Sequence, residues 1–417
     1  MPRPRWALQM EAVMWRNLMD IGMRMHVMAR PPAPGPDLVL RIPATVSPVK
    51  GEIEMFFWVP ESYKKTYMGT DKGKSPVPSS KSTASSSSSS MSSDNSTSSD
   101  ASSINTIPGT PAPSGRLYPF VINFHGGGFT IGRATDDARW ARSVVAYVDA
   151  VVVSVDYRLA PEHPFPTAIE DGVDAALYLV ERAEEFGLDK HRMAFSGFSA
   201  GGNMSFSVPI RLAEEYRKRA ADPNSQHSKE KEGTVATIAA WYPSLDYTQT
   251  REERRKTNVR KDKDLPKFFT NLFDASYLHP PGGIDLASPW LSPSIAPDSM
   301  IRDLPQNIVL YTCEWDELQA EGEVFYRRLV DKFGKRVAWK KIRGVTHAFD
   351  KTPNPVKWDP KIEGLYRDAC KQLRRVFYGE EWVGEEVSEE DDEIGKKADV
   401  ETRIEVVEMP KEGKAEE

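Results

Sequence analysis

The sequence has little of several features that would mark a special class of protein. It contains only two cysteines, Cys313 and Cys370, which stand far apart and lack the spacing of metal ligands. Two cysteines in 417 residues exclude a disulfide framework, and we expect buried thiols in a reducing compartment. No apolar run approaches the roughly 18 residues that cross a bilayer. Charged residues also interrupt the N-terminal segment where a secretory signal would be apolar, so we expect a cytoplasmic protein.

A strong excess of one charge is also missing from most of the chain. The net charge is −6, but residues 380–417 alone carry −11, which leaves +5 for residues 1–379. Because that excess is small and scattered, it does not indicate a nucleic-acid partner. Residues 380–417 are predicted to form a disordered acidic tail.

Apolar residues are almost absent from one internal segment. Serine accounts for 16 of the 25 residues from Ser79 to Ser103. Since such a segment has almost nothing to bury, we predict a disordered insertion over residues 70–115, between two strands of one domain. That domain is assigned to residues 37–379, where the composition suits a large core.

Residues 6–28 have the pattern of an amphipathic helix. Its polar face carries Arg16, Asp20 and Arg24, and we place His26 there too. The apolar residues at helical spacing are Trp6, Met10, Met14, Leu18, Ile21, Met25 and Met28. We expect residues 1–36 to pack on the domain as part of a cap, because methionines adapt to varied apolar shapes. Contact with a membrane surface is the less favoured alternative.

The rest of the chain alternates short apolar strands with amphipathic helices. The strands are predicted at residues 38–42, 52–59, 117–124, 150–155, 193–196, 235–241, 308–313 and 337–342. This alternation predicts an α/β fold with a mainly parallel central sheet and helices on both faces. A long segment, residues 246–303, is predicted to hold a helical cap. Sites in such sheets form at the carboxyl ends of the strands.

Two motifs directly follow predicted strands. The stretch Gly197 to Gly201 fits the nucleophile elbow, a sharp strand-to-helix turn that exposes its central serine, Ser199. An earlier strand runs into His125-Gly126-Gly127-Gly128, whose backbone N–H groups are unshielded and suited to hold an oxyanion. Gly126 and Gly127 are the candidate donors, and His125 is better placed to brace the turn.

Two later strands are followed by an acid and by a histidine. Asp316 and Glu317 follow the strand that ends at Cys313, and His347 follows the last strand. The order serine, acid, histidine is the one that an α/β-hydrolase triad requires. Asp316 is preferred because it comes first after its strand, but Glu317 stays an alternative.

Together these motifs resemble the hormone-sensitive-lipase-like branch of the α/β-hydrolases. The resemblance spans roughly Leu117 to Tyr378 and includes the loop from Asp156 to Pro166. It implies the α/β-hydrolase fold. It also implies these site residues: Ser199 as nucleophile, Asp316 and His347 as its partners, and the N–H groups of Gly126, Gly127 and Ala200 as oxyanion hole. Phe198 stands where the family usually has an acidic residue, and with Gly128 it is assigned to substrate contact.

The expected function is hydrolysis of small or medium apolar carboxylic esters through an acyl-enzyme, as in a serine carboxylesterase. No cofactor, metal or nucleic acid is expected, and the oligomeric state is left open. One alternative is a non-catalytic ligand-binding receptor on the same fold, although such receptors typically lose the histidine. The other is an amidase or deacetylase that uses the same triad. Activity should fall at acid pH as His347 protonates, with an apparent pKa of about 6 to 7.

Overall fold

The structure, a computed structural model, describes residues 3–68, 115–225 and 228–379. The serine-rich insertion, apart from Gly115, and the acidic tail lie outside these residues. None of the described helices is long and apolar enough to cross a bilayer.

Within the described residues a sheet of eight strands forms the centre of the fold. The strands are β1 Leu38–Pro43, β2 Glu52–Trp58, β3 Tyr118–Phe124, β4 Val151–Asp156, β5 Leu188–Phe198, β6 Val235–Trp241, β7 Asn307–Trp315 and β8 Arg336–Thr346. Their order in space is β1-β2-β4-β3-β5-β6-β7-β8. Only β2 runs against the others, since both of its neighbours pair with it in antiparallel fashion and the remaining pairs are parallel. The predicted mainly parallel sheet is therefore confirmed.

Helices cover both faces of this sheet. They are α1 Arg5–Met28, α2 Glu61–Tyr63, α3 Ala138–Val148, α4 Thr167–Glu181, α5 Ala200–Ala221, α6 Arg251–Thr257, α7 Lys267–Tyr277, α8 Asp298–Asp303, α9 Gln319–Arg327 and α10 Pro360–Tyr378. On one face α3 and α10 pack together with Val121 of β3, and on the other α4 and α5 pack with Phe120 and Ile122 of the same strand. Because successive strand residues point to opposite faces, a strand buried on both sides reads as a continuous apolar run.

Two strands are clearly longer than the sequence predicts. Strand β5 covers Leu188–Phe198 rather than residues 193–196, and β8 covers Arg336–Thr346 rather than residues 337–342. The chain turns through residues 182–187, where Gly187 takes a φ of +60° that favours glycine. That turn returns the chain to the sheet and allows β5 to begin at Leu188, paired with Tyr118.

Helix α1 packs on the domain through the side opposite to its predicted apolar stripe. Leu8, Ala12 and Met23 are buried, whereas every member of the predicted stripe is more than 40% exposed. The placement of His26 on a polar face is also wrong, because only 2% of it is exposed and its ring packs edge-on against Trp358.

A side chain from the predicted polar face helps to hold this orientation. The Arg16 guanidinium donates to the carbonyl oxygens of Thr130 and Ala160 at 2.8 Å and to the Glu162 carboxylate. Because these acceptors lie in two loops of the main domain, Arg16 points toward the protein. The stripe, on another side of the helix, is left in solvent.

Candidate active site

Ser199 sits on a strained turn between β5 and α5. Its backbone has φ 55° and ψ −111°, a conformation that a residue with a side chain rarely adopts. Its N–H donates to the Trp241 carbonyl at 2.9 Å, which holds the turn in place. A Cβ on Gly201 would collide with the Phe124 carbonyl, and one on Gly197 would collide with the carbonyl of Gly201. The glycines thus permit the close approach that this turn requires.

The Ser199 hydroxyl lies at one end of a chain of two hydrogen bonds. His347 Nε2 is 2.8 Å from Ser199 Oγ, and His347 Nδ1 is 2.7 Å from Asp316 Oδ2. The second carboxylate oxygen of Asp316 accepts from the Leu318 N–H at 3.0 Å, so the carboxylate is held from both sides. The structure therefore brings Ser199 together with two side chains that lie more than 100 residues later in the sequence.

The pKa of His347 is shifted by its surroundings. Burial by itself would lower the pKa, but the charge and hydrogen bond of Asp316 outweigh it, so the pKa lies above the ordinary value of 6.5. Glu317 adds to this rise, and the Arg251 guanidinium opposes it. A raised pKa makes the imidazole a stronger base toward the serine proton.

Glu317, the alternative acid, is engaged by the helices that cover the site. Its two oxygens accept from Arg251 and Arg255 of α6 at 2.8 Å each, and its side chain is 1% exposed. Arg251 also forms a two-point ion pair with Asp274 of α7. Glu317 therefore fastens α6 and, through Arg251, α7 to the loop that carries Asp316.

The glycine turn after β3 lies beside Ser199. Gly126, Gly127 and Gly128 line the same cavity as Ser199 and Ala200. His125 stacks on Tyr157, with ring centroids 4.2 Å apart, and its Nδ1 is 2.7 Å from the Gly126 carbonyl oxygen. The expectation that His125 braces the turn agrees with these contacts.

A cavity of about 250 Å³ opens on these groups. Its covering side chains come from α1 and from residues 246–303, the two segments that the sequence assigns to a cap. They are Met19, Met23, Tyr247, Arg251, Leu265, Phe269 and Phe273. A Cβ on Gly128, whose φ is +58°, would collide with the Phe273 ring, which shows how closely α7 approaches the glycine turn.

Phe198, the residue that departs from the family pattern, belongs to an aromatic cluster below the cavity. Its ring stacks on Trp241 at 5.6 Å and 8°, and only 1% of the residue is exposed. The Lys351 ammonium lies 3.9 Å from the ring centroid, a cation–π contact. At position 198, where the family usually has a negatively charged side chain, this chain therefore offers an aromatic ring to the Lys351 ammonium.

Lys351 is held by two carboxylates, Asp137 at 2.7 Å and Asp350 at 3.2 Å. Burial would lower the pKa of Lys351, but these carboxylates raise it above its ordinary value, so the ammonium stays charged. Asp350 in turn accepts from the hydroxyls of Tyr242 and Tyr366, and the Tyr242 ring packs edge-on against the His347 ring at 4.9 Å. A buried ionic network therefore supports the histidine.

Several of these residues were not found by sequence reasoning. Lys351 follows His347 by four positions, which is the one sequence signal that could have placed it near the site. Asp136, which lines the cavity, has its pKa raised to about 6, first of all by burial. Met19 and Met23 could have been found by testing the second apolar side of α1.

The described residues contain no cluster of three or more His, Cys, Asp or Glu side chains that could hold a metal ion.

Comparison with known proteins places this geometry in a family. Residues 121–351 match the family model described as alpha/beta hydrolase fold. An arylesterase of Saccharolobus solfataricus is 31% identical over 56% of this chain and 69% of its own length. Human arylacetamide deacetylase-like 2 is 30% identical over 59% of this chain and 72% of its own length.

A solved structure extends the likeness to the fold. The ester-hydrolase EH1AB1 from the metagenome of Lake Arreo superposes with a TM-score of 0.61 at 23% identity, covering 88% of this chain and 90% of that one. The matched segment contains Ser199, Asp316 and His347 and makes up more than half of the chain. The chain belongs to the α/β-hydrolase fold family, in its hormone-sensitive-lipase-like branch, and is a hydrolase of the carboxylesterase type.

Proposed function

We propose that this protein hydrolyses carboxylic esters through an acyl-enzyme formed on Ser199. The observation that carries the proposal is the pair of hydrogen bonds of 2.8 and 2.7 Å that join Ser199, His347 and Asp316. A serine hydroxyl is a weak nucleophile at its free pKa, and a base within hydrogen-bond reach activates it. A base oriented by a carboxylate is the arrangement that acyl transfer requires.

The first half of the reaction builds the acyl-enzyme. Ser199 Oγ attacks the ester carbonyl while His347 Nε2 takes the hydroxyl proton, and Asp316 stabilises the imidazolium. The N–H groups of Gly126, Gly127 and Ala200 receive the oxyanion, where each donor contributes about 3 kcal/mol. His347 then gives its proton to the departing alkoxide, which leaves as the alcohol. In the second half, water loses a proton to His347 and attacks the acyl carbon, and Ser199 recovers its proton as the acid leaves.

The cavity favours small or medium apolar esters. Its volume of about 250 Å³ is enclosed by methionine and phenylalanine side chains, which contact acyl or alkyl groups but offer few hydrogen-bond partners. Gly128 borders the cavity, and Phe198 contributes to its floor.

A cytoplasmic location stays a prediction that rests on the two buried free thiols.

A second candidate function is cleavage of amides with the same triad. The name of the human relative, arylacetamide deacetylase-like 2, favours it, since arylacetamides are amides. A purely receptor-like role is less favoured, because the contact between His347 and Ser199 is intact.

A series of p-nitrophenyl esters of increasing acyl length tests the proposal. Turnover should be highest for short or medium chains, and Ser199→Ala should abolish it, together with labelling by a fluorophosphonate probe. Paired p-nitrophenyl esters and p-nitroanilides of the same acid separate the two candidate functions. Full turnover by Ser199→Ala, or no labelling of the wild type, would contradict the proposal.

A further inference from the structure

One side of α1 leaves a continuous row of large apolar side chains in solvent. Eight residues are between 41% and 67% exposed: Trp6, Met10, Val13, Met14, Leu18, Ile21, Met25 and Met28. Their helical spacing places them on one side along the whole length of the helix. We call these eight residues the outer face. A soluble domain usually scatters such residues singly, so a row along an entire helix indicates a surface for contact.

The opposite side of the same helix covers the active site. Met19 and Met23 line the cavity beside Ser199. Between them and the outer face, Trp15 stacks on Phe268 of α7 at 4.9 Å, and Phe268 is itself 45% exposed. The exposed apolar surface therefore continues from α1 onto α7, directly above the cover of the cavity.

The charges around the outer face are mainly positive. Residues 3–30 contain five arginines and two acids, a net charge of +3 in a chain whose total is −6. Neither acid belongs to the outer face, and both are paired with arginines, Glu11 with Arg3 and Asp20 with Arg24.

Arg5 and Arg16 are turned toward the domain, where they donate to backbone carbonyl oxygens. Arg24 and Arg30, in contrast, are open to solvent. An apolar helix face with exposed arginines near its C-terminal end matches an anionic lipid surface, where phosphates meet the arginines and the acyl region takes the apolar side chains.

We propose that the outer face of α1 docks the protein on the surface of anionic phospholipid membranes. The helix lies in the plane of the interface and does not span the bilayer. Since α1 also covers the cavity, docking places the cover of the active site against the lipid. The inference goes beyond ester hydrolysis and does not rest on it, because docking needs no catalytic residue.

Charge favours lipid over a second copy of the chain. A symmetric contact would bring the same segment, with its net charge of +3, against itself, so the two copies would repel each other, whereas anionic phosphates attract it. A lipid surface also adapts to the shape of the helix.

Co-sedimentation of the full-length protein with vesicles tests the proposal. Vesicles of phosphatidylcholine with phosphatidylserine should carry the protein down, and vesicles of phosphatidylcholine alone should carry less. The double variant Leu18→Glu with Ile21→Glu should bind the anionic vesicles at least about tenfold more weakly, because it places two carboxylates in the centre of the outer face. The Ser199→Ala protein should bind as the wild type does, which separates docking from catalysis.

A matched control introduces the same charges away from α1. Val324 on α9 and Val49 in the loop between β1 and β2 are 66% and 45% exposed, so Val324→Glu with Val49→Glu should leave vesicle binding unchanged. Both double variants should keep wild-type turnover of a soluble ester, because none of these residues lines the cavity. Three results would overturn the proposal: wild-type protein that stays in solution, equal binding by both double variants, or a wild-type dimer in light scattering that Leu18→Glu with Ile21→Glu dissociates.

Discussion

Asp316 and Glu317 are neighbours in the chain, yet their carboxylates serve different parts of the molecule. Asp316 contacts His347 at 2.7 Å, whereas Glu317 accepts from Arg251 and Arg255 of α6. Asp316 therefore belongs to the proposed catalytic triad, and Glu317 holds helix α6 over the cavity.

Substitution of these two acids should have separable effects. Asp316→Asn should lower kcat by a factor on the order of 10⁴ with little loss of stability, because an amide no longer holds His347 in the required tautomer. Glu317→Gln should keep most of the turnover but lower the free energy of unfolding by about 3 kcal/mol, since Arg251 and Arg255 lose a buried partner. Kinetics and urea unfolding of both proteins measure this. If Glu317→Gln showed the larger loss of kcat, the assignment of the acid would be wrong.

The pH dependence of kcat/KM should follow the titration of His347. Only the neutral imidazole can accept the serine proton, so activity falls as pH drops through the pKa of His347. Because Asp316 raises that pKa, the acid limb should have its midpoint above 6.5. In Asp316→Asn the remaining activity should show this limb at lower pH, since the charge that favours the imidazolium is gone. An unchanged midpoint in Asp316→Asn would contradict this account.

Loss of the buried cation should destabilise the site. Lys351→Met leaves Asp137 and Asp350 without their shared ammonium, which should cost about 3 to 5 kcal/mol of unfolding free energy. Lys332→Met is the matched control, because Lys332 and its partner Asp298 are 55% and 39% exposed. A surface pair of this kind should contribute less than about 1 kcal/mol. Equal midpoints for the two variants in urea unfolding would show that the buried network contributes little.

The length of acyl chain that is accepted should depend on Phe273. Phe273→Ala removes a ring from the wall of the cavity, and the preferred acyl length in the p-nitrophenyl series should increase. Phe268→Ala removes the same ring from the same helix, but Phe268 packs on Trp15 outside the cavity, so the preference should stay as in the wild type. A similar change in both variants would point to a general loosening of α7.

The central strands of the predicted sheet were recognisable in the sequence because they are buried on both faces. The segment Tyr118–Phe124, with every residue buried, is an apolar run interrupted only by Asn123 and is recognisable without any partner. The elbow around Ser199 was likewise recognisable, because its glycines are required by contacts within a few residues of the serine and with the neighbouring strand.

The sequence by itself determined the α/β class, the strand order along the chain, and the loops that carry Ser199, Asp316 and His347. Only the tertiary structure decided which side of α1 meets the domain and which of two adjacent acids meets the histidine. The physical reason is that both sides of α1 are apolar, so periodicity alone could not choose between them. Contacts with residues more than 100 positions away, such as those of Arg16 with the Thr130 and Ala160 carbonyl oxygens, hold the observed side of α1 on the domain, and Arg251 and Arg255 bind Glu317.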